Sequence, residues 1–92
     1  MNILLLTQEQ CGFCAQAKEI LARLAVEYGF SVSMLDLDSP EGETLAVLGG
    51  ILFPPGIFLD DEPFSYGRLS ERRLRREIER RLNSLPGSTR GL

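Results

Sequence analysis

Two thiols three positions apart, Cys11 and Cys14, stand between an apolar run, Ile3-Leu4-Leu5-Leu6, and a segment of helical character that starts Ala15-Gln16-Ala17-Lys18. This order predicts a strand, a short loop and a helix beginning at the thiols, so the chain must fold with a strand-to-helix turn there. Cys11 then lies at the N-terminal end of the helix, where unpaired backbone N–H groups and the positive end of the macrodipole favour an anion. The anion here is a thiolate, the reactive form of cysteine. The pair can close a small disulfide or open to a dithiol, and in a strand-to-helix turn this spacing marks redox chemistry.

Ninety-two residues suffice for one modest core and leave no room for a second domain. The expected organisation is one domain over residues 1–83 and a frayed C-terminal tail over 84–92, which carries Pro86, Gly87 and Gly91. The apolar share of 43% and the charged share of 25% are ordinary for a soluble globular protein. The N-terminal apolar run is far shorter than the ~20 residues of a membrane span and lacks the basic lead of a signal peptide, so no membrane is expected. With two cysteines and no export signal, the expected location is cytoplasmic, where such a pair is more often catalytic than structural.

Histidine is absent, which removes the commonest general base and metal ligand. Two cysteines cannot complete a four-ligand metal site, so no metal and no cofactor are expected. A dimeric iron–sulfur or metal carrier built on the same cysteines is the alternative that would need a second copy or an added thiol. A purely structural disulfide at this spacing would crosslink almost no chain and stabilise little.

Charge is unevenly spread. Residues 1–67 carry a net −8 and residues 68–92 a net +5, with eight arginines in the latter stretch; together they give the formal −3. The arginine-rich end reads as a solvated helix face with i,i+4 partners, or else as a docking surface for an acidic partner. Nucleic acid is not expected, because the chain is acidic overall and no aromatic residue interleaves with those arginines.

The first strand is expected over 2–6 and the first helix over 12–28, where Ala17, Ile20, Leu21, Leu24 and Ala25 recur at three- and four-residue steps before a Gly29 cap. Strand two, 30–37, starts by alternating Phe30, Val32 and Met34 with Ser31 and Ser33, and breaks step at Leu35. A short helix follows over 40–48, with Ser39 as cap, Pro40 at its first position and Gly49-Gly50 as its stop. Strands over 56–59 and 63–66 flank a turn at Asp60-Asp61-Glu62. Ser70 caps a last helix reaching about Asn83, whose Leu74, Ile78 and Leu82 stripe must lie on the sheet.

This order, with the Cys11-to-Cys14 turn, the Phe53-Pro54-Pro55-Gly56 segment entering a strand and Tyr66-Gly67-Arg68-Leu69-Ser70 entering the last helix, resembles the thioredoxin-like superfamily and its small thioredoxin/glutaredoxin members over roughly 2–83. The resemblance implies an α/β protein with a minimal thioredoxin-like fold, βαβ-α-ββα, whose four-stranded mixed sheet is flanked by helices. The first and last helices should share one face and the short one should take the other. The resemblance also puts the family's cis-proline, which packs against the disulfide, at Pro55. Full-length thioredoxins carry an additional N-terminal strand and helix. Their buried Asp and Lys pair falls here on Leu5 and Met34, so both charges are lost together, and with them a proton relay to the second cysteine. Their Trp before the first cysteine is Gln10. The glutathione-binding Gly-Gly-x-Asp element of glutaredoxins has no match, while Cys14 stands where monothiol glutaredoxins have Ser.

The expected activity is that of a thiol-disulfide oxidoreductase exchanging electrons with protein disulfides. Cys11 is the expected nucleophile and Cys14, one turn inward, the resolving thiol. Gly12 and Phe13 would set the redox poise, Pro55 would hold the backbone against which an extended substrate pairs, and Phe53, Pro54 and Pro55 would form an apolar rim. Lys18 is expected as an exposed helix residue. The electron donor is a reductase or glutathione, the latter defining the glutathione-dependent alternative, and the protein is expected to be a monomer.

Overall fold

The computed structural model describes residues 1–83; the tail expected over 84–92 lies outside them. Its elements run β1 (Asn2–Thr7), α1 (Gly12–Tyr28), β2 (Ser31–Asp36), α2 (Pro40–Gly49), β3 (Gly56–Leu59), β4 (Glu62–Tyr66) and α3 (Glu71–Asn83). The sheet is mixed, in the order β2-β1-β3-β4. β1 pairs in parallel with β2 and antiparallel with β3, and β3 pairs antiparallel with β4. β1 is central, which is why its sequence is a continuous apolar run: Ile3, Leu5 and Leu6 are fully buried because both faces of the sheet are covered.

Alternation along the strands divides the core in two. Ile3, Leu5, Ile57 and Leu59 pack with Ala17, Leu21 and Leu24 of α1 and with Leu74 and Ile78 of α3. Leu6 and Phe58 point the other way and pack with Ile51 and with Leu45 and Ala46 of α2. The first and last helices therefore share one face and α2 lies opposite. In the α3 stripe Leu74 and Ile78 are fully buried, whereas Leu82 at the end of the helix is half-buried.

Local chemistry sets the boundaries. Gly29 ends α1 in the left-handed region, at φ 77°. Ser39 Oγ accepts from the Gly42 N–H at 3.0 Å and Pro40 opens α2. Ser70 Oγ likewise accepts from the Arg73 N–H at 3.2 Å, just ahead of α3. The hairpin turn is tighter than its three acidic residues suggested. Asp60 and Asp61 alone make it, at φ 47° and 71°, and Glu62 already belongs to β4. Two residues with positive φ give the turn twist that matches the flanking strands, and Asp tolerates that region.

One expectation is corrected at β2. The strand spans 31–36, so Phe30 precedes it while still filling the core. Met34, in register with the fully buried Leu5, is 58% exposed. Among the described residues β2 is an edge strand of the sheet, so alternation predicts the side Met34 faces without predicting its burial.

A network of ion pairs joins α3 to α1 along their outer seam. Arg23 meets Glu71 at 2.8 Å, Arg75 meets Glu27 at 2.6 Å and Glu71 at 3.3 Å, and the Tyr28 hydroxyl donates to Glu79 at 2.5 Å. Hydrogen bonding from Arg23, aided by Arg75, holds the Glu71 carboxyl down at about 2. Glu77 is also held at about 2, by Arg80 and Arg81 on the next turn.

Candidate active site

The thiols lie where β1 gives way to α1. Cys11 is the N-cap of α1, with extended backbone at φ −115° and ψ 106°, and its sulfur occupies the place a Ser or Asp oxygen usually takes. Cys11 Sγ accepts from the Cys14 N–H at 3.1 Å, so one of the helix's orphan donors points at this sulfur. Such a donor, together with the helix dipole, stabilises negative charge there. The two residues form a disulfide pair with Cα atoms 5.2 Å apart.

Their surroundings differ sharply. Cys11 is half-buried at the surface end of the helix, while Cys14 is only 2% exposed. No charged residue is buried among the described residues, so the interior into which Cys14 projects holds no charged side chain. Between the two, Gly12 is exposed and Phe13 is 48% exposed.

Antiparallel register carries the proline segment to the same end of the sheet. Leu6 pairs with Gly56, which sets Pro55 opposite Thr7, the last residue before the thiol loop. The Pro54–Pro55 peptide bond is cis and Pro55 is fully buried. Pro54 is half-buried, and the ring of Phe53 is 53% exposed. Of the expected site residues, Cys11, Gly12, Phe13, Phe53, Pro54 and Pro55 therefore cluster at this end, with Cys14 beneath. Lys18 is exposed and belongs elsewhere, bordering a small apolar cleft of about 140 Å³ between α1 and β2 together with Leu5 and Met34.

Three neighbours were not among the expected site residues, although Tyr66 and Gly67 belong to the segment noted ahead of the last helix. Tyr66 pairs with Gly56 across the hairpin, and its ring meets Phe53 edge-on at 5.0 Å. Gly67 donates its N–H to the Pro55 carbonyl at 2.9 Å and adopts φ 77°, with the Phe53 ring lying against it. The Thr7 hydroxyl is buried without a hydrogen-bond partner. Hairpin register would have found Tyr66; nothing local marks Thr7. Among the described residues no three His, Cys, Asp or Glu side chains converge as metal ligands, and no helix is long and apolar enough to cross a membrane.

Comparison with known proteins agrees with this architecture. Residues 2–79 match the family described as Glutaredoxin-like domain (DUF836). Uncharacterised proteins of Mycobacterium tuberculosis (strain H37Rv) and Mycobacterium bovis are each 35% identical to the chain over 80 residues, covering 83% of it and 80% of their own length. Among solved structures, a point-mutant thioredoxin from Halobacterium salinarum superposes with a TM-score of 0.70 at 25% identity, over 92% of this chain and 77% of its own. Thioredoxin O2 from Arabidopsis thaliana in its oxidised state shares the fold, with a TM-score of 0.65 at 17% identity, over 86% and 72% of the two chains. A thioredoxin-like fold bearing a paired Cys11 and Cys14 points to a redox role.

Proposed function

Because the chain belongs to the glutaredoxin-like domain family, we propose that it is a thiol-disulfide oxidoreductase acting on protein disulfides through Cys11 and Cys14. The observation that carries this reading is the asymmetry of the pair: Cys11 at the helix terminus with a donor on its sulfur, Cys14 buried behind it. The Cys11 thiolate attacks one sulfur of a substrate disulfide, forming a mixed disulfide and releasing the other sulfur as a thiolate that takes a proton from water. Cys14, once deprotonated, attacks Cys11 Sγ. The substrate leaves as a dithiol, two electrons richer, and the protein is left as the Cys11–Cys14 disulfide. A reductase or glutathione returns those two electrons, and a reducing cytoplasm is the compartment in which such a cycle runs.

Phe13, Phe53 and Pro54 supply an apolar rim to the partner, and Pro55 fixes the backbone behind it. Pro54 and Pro55 have no N–H to donate, so the rim offers an extended substrate carbonyl acceptors and apolar surface. The test is direct: Cys14→Ser should accumulate mixed disulfides and Cys11→Ser should form none. Alkylation of the reduced protein at mildly acidic pH should label Cys11 first; labelling of Cys14 first would overturn the assignment. Recycling the oxidised protein with thioredoxin reductase or with glutathione then identifies the donor, and turnover by glutathione alone would favour the glutathione-dependent reading that the family description suggests.

A further inference from the structure

The seven arginines between residues 68 and 81 fall into three groups. Arg75, Arg80 and Arg81 are paired with carboxylates, as is Arg23 of α1. Arg73 lies over the Phe64 ring at 5.5 Å, and Arg68, Arg72 and Arg76 are exposed and enter no ion pair among the described residues. Arg68 and Arg72 line an open groove of about 730 Å³ between α1 and the start of α3. Across it stand Gln16, Glu19 and Arg23, the last already neutralised by Glu71. The groove's uncompensated charges are thus two guanidinium groups against one carboxylate, Glu19. The first N–H groups of α3, those of Glu71 and Arg72, add partial positive charge at the same lip.

The groove begins at Gln16, two residues past Cys14 on α1. On its other wall Arg68 follows Gly67, which is bonded to Pro55 and has the Phe53 ring against it, so the chain passes from the apolar rim directly to Arg68. Along α1, Gln16 lies about 7 Å from Cys11 and Arg23 about 18 Å, at 1.5 Å per residue. An extended chain advances about 3.3 Å per residue, so a polypeptide whose cysteine reaches Cys11 lays its second to fifth neighbours in the groove.

We propose that this groove selects protein partners by an acidic stretch two to five residues from the reacting cysteine, which Arg68 and Arg72 bind. The inference rests on Cys11 being the reacting sulfur. Acidic residues fit because the unpaired cations outnumber Glu19 and lie open to solvent, while the thiol rim itself is apolar. A basic stretch would meet the same two arginines unscreened.

The experiment uses the full-length Cys14→Ser protein, reduced, with ten-residue peptide disulfides that differ only in carrying Glu, Gln or Lys at those positions on either side of the cysteine. Mixed-disulfide formation is followed by mass spectrometry. At low salt the acidic peptide should react about fivefold faster than the neutral one, the contribution of two exposed charge contacts, and about 0.5 M NaCl should erase the difference. Arg68→Ala/Arg72→Ala should bring the acidic-to-neutral ratio to one, and Glu19→Gln should raise it. Equal rates for the acidic and neutral peptides, or a ratio untouched by the arginine variant while its circular dichroism is native, would overturn the proposal. A fluorescent acidic peptide with Ser in place of Cys gives a second readout, by anisotropy, that needs no redox step. Arginine-dependent binding there without any disulfide exchange would refute the redox reading and leave the groove standing. Preferential binding of an RNA oligonucleotide over that peptide would refute the groove as a protein-docking site.

Discussion

Replacing Gly67 with Ala tests how the rim is held. Gly67 sits at φ 77°, where a Cβ costs about 1 kcal/mol. The Cβ would also fall 2.7 Å from Phe53 Cε2, and its three nearest neighbours all belong to that ring. Ordinary contact needs about 3.4 Å or more, so the ring must swing outward by most of an ångström. Phe53 is half-exposed and free to move, so the core is spared, but its edge-on contact with Tyr66, worth about 0.5–1.5 kcal/mol, is lost. Gly67→Ala should therefore destabilise the protein by roughly 2 kcal/mol and lower Tm by roughly 8–16 °C. The assay is a double-mutant cycle with Phe53→Ala, read by urea denaturation. With the ring already gone, Gly67→Ala should cost only its backbone share, about 1 kcal/mol, leaving a coupling near 1 kcal/mol. An equal cost in both backgrounds would refute the idea that the glycine exists to seat the phenyl ring.

Ile78→Ala removes a fully buried side chain between α3 and the sheet and should cost about 2–5 kcal/mol in urea denaturation, with Leu82→Ala costing less than half as much; equal losses would contradict the packing described. Leu5→Asp buries a carboxylate without a partner and should cost about 3 kcal/mol or more, while adding Met34→Lys should recover part of that; no recovery would show that the edge lysine cannot reach. Glu71 and Glu77 titrate at about 2 when folded against 4.5 for the ordinary group, so the unfolded chain binds their protons first as pH falls. Their stabilisation is full above about pH 4.5 and drains away between there and about pH 2. Acid unfolding followed by circular dichroism should show this loss, and Arg23→Ala should make it shallower; superimposable acid titrations would refute the Arg23 link.

What was legible in the sequence was what is decided locally. Ser39-Pro40, Gly29 and Ser70 cap their helices whatever surrounds them, and the unbroken apolar run of β1 announces a central strand. The thiols were legible for the same reason, since strand end and helix start fall within a few residues of them. Met34 was not, because its exposure depends on there being no strand beyond β2. Tyr66 was not, because its place beside Phe53 depends on a hairpin register that shifts between Ile57 and Phe58. The arginines divided in a way that helix periodicity cannot foretell: Arg23–Glu71 and Arg75–Glu27 join residues 48 positions apart.

The absence of a buried charged residue around Cys14, among the described residues, has an experimental consequence. The sequence holds no histidine, so no imidazole exchanges protons near neutrality to mask the ionisation of the thiols. Subtracting the proton release of a chain carrying Cys11→Ser and Cys14→Ser from that of the reduced protein, both measured in unbuffered solution, therefore leaves sulfur ionisation alone, without a spectroscopic label. The two single Cys→Ser chains then divide that release between the helix cap and the interior, with nothing more than a burette.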